Sequence, residues 1–88
     1  MPPDVTDAEL KQAILILLHT RGPGKSICPS EVARSAAASN DPAKWRPLMQ
    51  PIREAAAELA QQGAIVATQR GRIVDSATAR GPIRLRRC

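Results

Sequence analysis

Six arginines crowd the last third of this chain, and arginine is the side chain that grips phosphates and guanine edges with a rigid planar fork. From Ala64 onward, Arg70, Arg72, Arg80, Arg84, Arg86 and Arg87 face the single acidic residue Asp75. Before that point the seven basic residues Lys11, Arg21, Lys25, Arg34, Lys44, Arg46 and Arg53 balance Asp4, Asp7, Glu9, Glu31, Asp41, Glu54 and Glu58. The formal net charge of +5 therefore belongs to one end of the sequence. A field placed in this way points to a polyanionic or acidic partner. Arg70 and Arg72 flank Gly71, where a hairpin tip would set guanidiniums against phosphate or in a minor groove. Arg80, Arg84, Arg86 and Arg87 form the densest cluster, and phosphate binding through them would depend steeply on salt. The alternatives are a solubilising turn, a solvated basic end, or, for Arg80 and Arg84, anchoring of the last strand to the helices.

A second group, Arg46, Gln50 and Arg53, has the spacing of one helix face. At the exposed start of a third helix these types read base edges: arginine takes guanine bidentately and glutamine takes adenine. Against that use, Glu54 stands beside Arg53 and would repel phosphate, and all three can be solvated surface groups. Nucleotide hydrolysis is excluded on spacing. Gly24-Lys25-Ser26 resembles the end of a phosphate-binding loop, but His19 occupies the place of the required first glycine, and a helix precedes it where a strand is needed. Cys28, with His19 as its base, is the one conceivable nucleophile, and rapid labelling by a thiol reagent would reveal it. Packing at the start of a helix is the simpler role. Cys28 and Cys88 lie far apart with no metal-ligand spacing, so neither a disulfide framework nor a metal or cofactor site is expected. Trp45 is the only aromatic residue. It is expected to plug the core, and its isolation argues against stacking of single-stranded nucleic acid.

The elements that must position these residues follow from local signals. Thr6-Asp7-Ala8-Glu9 has the form of a capping box, and Leu10, Ala13, Ile14, Leu17 and Leu18 recur on one face until Arg21-Gly22-Pro23-Gly24 stops the helix. A first helix is predicted from about Asp7 to Thr20. Lys25 to Cys28 suits a brief extended segment, and Pro29, with Glu31 in the first turn, opens a second helix to about Ala37. Asp41 and Pro42 form a cap and a first helical residue. Pro47 and Pro51 each remove an amide donor, so a short turn over Pro42 to Met49 and a regular third helix from Pro51 to about Gln62 are predicted. Its core face is Leu48, Ile52, Ala55, Ala56 and Leu59, with Trp45 before it. Ala64 to Thr68 and Arg72 to Val74 make a hairpin about Arg70-Gly71. After Gly81-Pro82, the alternation Ile83-Arg84-Leu85-Arg86 reads as an edge strand with one face buried.

This order of helix, strand, helix, helix and hairpin is that of a winged helix-turn-helix, mainly α with a small β-hairpin and a three-helix core plus wing. Particular blocks carry a resemblance as well: Ser26-Ile27-Cys28-Pro29-Ser30-Glu31-Val32-Ala33-Arg34, Trp45-Arg46-Pro47-Leu48-Met49, Arg53-Glu54-Ala55-Ala56 and Arg80-Gly81-Pro82-Ile83-Arg84. Together they are similar to a family of small bacterial proteins of unknown function with a winged-helix fold, over nearly the whole chain. The resemblance implies a fold and no activity.

With 88 residues, one domain is expected, preceded by a tail over residues 1–5 and closed by a basic end over residues 86–88. There is little room for a deep catalytic cleft, so a binding module rather than an enzyme is expected. Met1-Pro2-Pro3-Asp4 does not open a signal peptide and no stretch is long enough to span a membrane, which points to the cytoplasm without membrane association. The leading expectation is non-enzymatic binding of double-stranded DNA, with Arg46, Gln50 and Arg53 near bases and Arg70, Arg72, Arg84 and Arg86 on phosphates. The alternative is docking on an acidic protein partner. No dedicated dimerisation helix is evident, so a monomer or weak homodimer is expected.

Overall fold

The computed structural model describes residues 5–87. Cys88 and the start of the N-terminal tail lie outside the described residues. Helix α1 covers Asp7–Arg21 and begins with the capping box foreseen in the sequence. Thr6 Oγ1 accepts the Glu9 amide, and the Glu9 carboxylate accepts the Thr6 amide. Leu10, Ile14 and Leu18 are fully buried along one stripe, while Leu15 and Ile16 face outward.

Strand β1 is only Ser26–Ile27, and α2 covers Pro29–Ala37. Glu31 closes the start of α2 by accepting the Cys28 amide at 2.7 Å and pairing with Arg21 at the end of α1. The Cys28 amide and, secondarily, Arg21 hold the Glu31 carboxyl below the usual carboxylate range, against the opposing effect of burial.

The region containing the two prolines is more continuous than expected. Helix α3 is the single turn Pro42–Trp45, capped by Asp41, whose carboxylate accepts the Ala43 amide at 3.0 Å. A 3-10 turn over Arg46–Leu48 leads directly into α4, Met49–Gln61. Helix α4 starts before Pro51, which falls in its first turn, where an amide has no intrahelical acceptor and its loss is harmless. Val32 and Ala33 of α2, and Leu48, Ile52, Ala55, Ala56 and Leu59 around α4, meet the α1 stripe in one core. Lys11 ties α1 to α4 on the outside, 2.8 Å from Glu58 and 3.1 Å from Asp7.

Trp45 corrects an expectation. It is half-buried and packs against the rim of the core instead of filling it. Its Nε1 donates to Asn40 O at 3.2 Å, and the guanidiniums of Arg34 and Arg46 lie 5.7 and 5.8 Å from the ring centre. A one-turn helix on the outside of the bundle cannot deliver a side chain to the centre, and Leu48, three residues later, takes that position.

Four strands complete the fold: β2 is Ile65–Gln69, β3 is Arg72–Val74 and β4 is Arg84–Arg87. All pairings are antiparallel and the order is β1-β4-β2-β3. The last strand is thus central and not at an edge, which corrects the sequence reading. Its apolar-basic alternation reports that one sheet face is open, and says nothing about how many neighbours the strand has. Ile27, Leu85, Ile65 and Ala67 point to the core, and Ile83 is buried just ahead of β4. The molecule is mainly α, a three-helix core carrying a small sheet and a hairpin wing.

Candidate nucleic-acid interface

The hairpin tip sets the geometry of the arginines around it. Arg70 and Gly71 both have positive φ, 52° and 80°, between the paired residues Gln69 and Arg72. This is the two-residue turn whose twist matches that of the strands, and it favours Asn or Gly at the first of these positions. Arginine there holds a left-handed backbone at a cost on the order of 1 kcal/mol. Beyond β3 the chain runs back along α4 before entering β4, and an open cleft of about 750 Å³ lies between hairpin and returning segment. Gln69, Arg70, Arg72, Val74, Arg80, Gly81 and Pro82 line it. None of the three arginines makes an ion pair with a carboxylate among the described residues.

The returning segment is fastened on two sides. Arg53 donates from Nη1 to Ala79 O at 2.7 Å and from Nη2 to Gly81 O at 2.6 Å. Gln69 Nε2 donates to the alternate carbonyls, those of Arg80 and Pro82. Four consecutive carbonyls are therefore taken in turn by α4 and by the hairpin, as the alternation of an extended chain allows. Further back along the segment, the buried Ser76 donates from Oγ to Arg53 O at 2.7 Å, and Gln50 Nε2 lies 3.3 Å from both Ala77 O and the Glu54 carboxylate.

The seven candidate residues consequently fall into separate places. Gln50 and Arg53 are engaged with the segment over residues 77–81, and Arg53 is half-buried, bonded to carbonyls and not to an acid. Arg46 remains exposed beside Trp45. Arg70 and Arg72 share the cleft. Arg84 and Arg86 project from the open face of β4, opposite Thr68 and Val66, but they differ in use. Arg84 donates from Nε to Ser26 Oγ at 2.9 Å, from Nη2 to Ser26 O at 3.0 Å and from Nη1 to Cys28 Sγ, fastening β4 to β1 and to the start of α2. Arg86 is exposed with no such bonds among the described residues.

Two residues outside the seven matter to the site. Arg80 stood in the basic cluster of the sequence, but nothing there placed it beside Arg70 and Arg72. Gln69 gave no signal at all, since a strand-end glutamine is ordinarily a solvent group. Among the described residues, no three His, Cys, Asp or Glu side chains gather where they could hold a metal ion. Nor is any described helix long and apolar enough to cross a membrane.

Comparison with known proteins gives one family match: residues 7–88 fit the model of DUF3253, described as a protein of unknown function. No curated protein matches the chain.

Proposed function

From the premise that the chain belongs to the DUF3253 family, whose function is open, we propose that it binds double-stranded DNA without catalysis, in the bacterial cytoplasm, as a monomer or weak dimer. The observation that carries this reading is the gathering of Arg70, Arg72 and Arg80 at the hairpin, with no carboxylate paired to them among the described residues. Arg86, on the opposite face of the sheet from Arg72, and Arg46, just before α4, are further exposed cations. Gln50 and Arg53 are held by backbone carbonyls, so in this reading the wing leads and phosphates supply most of the affinity, with weak preference for sequence. Arg84 serves chiefly as a fastening of the sheet.

The test is fluorescence anisotropy of a labelled random duplex between 50 and 200 mM salt. About four phosphate contacts predict a loss of affinity on the order of 100-fold over that range. Absence of binding at 50 mM overturns the reading.

One observation favours a second reading, docking on an acidic protein partner. Ile73 is 73 % exposed on the same open sheet face as Arg84 and Arg86, an apolar anchor among cations. In that case an acidic peptide, and not a duplex, competes for Arg86, and Ile73→Ser weakens the complex while leaving duplex binding unchanged.

A further inference from the structure

We propose that the cleft between the hairpin and residues 80–82 is a binding site for a diphosphate-sized oxyanion, held by Arg70, Arg72 and Arg80. The ligand chemistry is a pair of adjacent phosphates, whether in a free phosphate ester or as successive phosphates of a nucleic-acid backbone. The inference uses the same wing arginines as the duplex reading, but it requires only the cleft.

Three observations converge on it. The cleft's volume, about 750 Å³, is in the range of small-ligand sites. Its three charged lining residues are all arginines, so like charges are gathered around one space with no acid among the described lining residues to offset their repulsion. A bound anion of two to three negative charges supplies that offset, and forked guanidiniums match its oxygens bidentately. Second, the floor is rigid where it needs to be. Gln69 and Arg53 fix the carbonyls of residues 79–82 from opposite sides, so the backbone carrying Arg80 is set against the hairpin before any ligand arrives. Preorganisation of this kind lowers the ordering cost of binding. Third, Arg70 occupies a left-handed turn position that Asn or Gly fills at lower cost. An arginine there weakens the turn, and its side chain lines the cleft.

The experiment is calorimetric titration of the full chain with inorganic pyrophosphate at low ionic strength, alongside the random duplex. Saturable one-site binding is expected, weakened at least tenfold by Arg72→Ala and by Arg80→Ala. Lys44→Ala removes one exposed charge elsewhere on the surface and should leave the affinity within about twofold. Arg70→Asn should weaken pyrophosphate binding and at the same time raise the Tm by roughly 2–5 °C, because it relieves the turn. No saturation at millimolar pyrophosphate, or an equal loss with Lys44→Ala, overturns the proposal. Pyrophosphate binding without duplex binding supports the cleft and removes the DNA reading. Duplex binding that is indifferent to Arg72→Ala and Arg80→Ala, in a chain that takes up no pyrophosphate, overturns the cleft and moves the DNA contact away from the wing.

Discussion

Arg53 in the second turn of α4 gives both ends of its guanidinium to backbone carbonyls, whereas Arg70 at the hairpin tip sits on strained backbone and lines an open cleft without an ion-pair partner among the described residues. One arginine is a fastening and the other is available. Sequence position alone offered both as contacts to DNA, Arg53 where a helix reads bases and Arg70 at a hairpin tip. What separates them is the segment over residues 75–82, which lies along α4 and covers the part of the helix that Gln50 and Arg53 would otherwise present. The same segment forms the far wall of the cleft, so closing one surface creates the other.

The contrast can be broken most forcefully at Arg53. Arg53→Ala removes two charge-assisted hydrogen bonds and leaves two carbonyls to find water, and we expect a loss of about 2–4 kcal/mol in chemical denaturation. Arg53→Lys should recover less than half of it, because an ammonium cannot span both carbonyls. A loss of about 0.5 kcal/mol or less would instead mean that Gln50, Ser76 and Gln69 hold the segment without Arg53.

Arg84 sharpens the comparison with a smaller effect. It is another committed arginine, but an exposed one, so Arg84→Ala should cost about 1 kcal/mol. Arg86→Ala, on the same strand face, should leave stability within about 0.5 kcal/mol and reduce duplex affinity.

The smallest effect concerns Glu31. Its carboxyl is held below the ordinary glutamate range, so its contribution to folding is complete above the unfolded-state value and is lost as pH falls through the lowered folded-state value. Glu31→Gln should cost about 0.5 kcal/mol at neutral pH, a figure that reflects its solvent contact. The variant should also show a flatter decline of stability on acidification than the unchanged chain.

Much of the fold was legible because its signals are local. Thr6 with Glu9, Pro29 with Glu31, and Asp41 with Pro42 announce helix starts within three or four residues. Arg70-Gly71 announces a turn in the same way. Trp45 and the last strand were misplaced because their surroundings come from distant parts of the chain. Burial of a tryptophan depends on which helix has the depth to carry it. Whether a strand is central depends on a partner such as Ser26, which its own alternation cannot encode. The candidate site divides along the same line. Charge made the arginines visible, but whether a guanidinium is free depends on carbonyls more than 25 residues away, as Arg53 shows with Ala79 and Gly81.

The strand order also governs how the molecule assembles. The hairpin of β2 and β3 closes over a two-residue turn and can form in roughly 1–10 μs. Strand β1 has no partner until β4 arrives, and the Ser26–Arg84 bonds span 58 residues of chain. Bringing such distant segments together is the slow part of folding. A chain truncated before Arg84 therefore lacks the strand that joins β1 to the hairpin. Mutations in β4 should accordingly slow folding more than those in the hairpin.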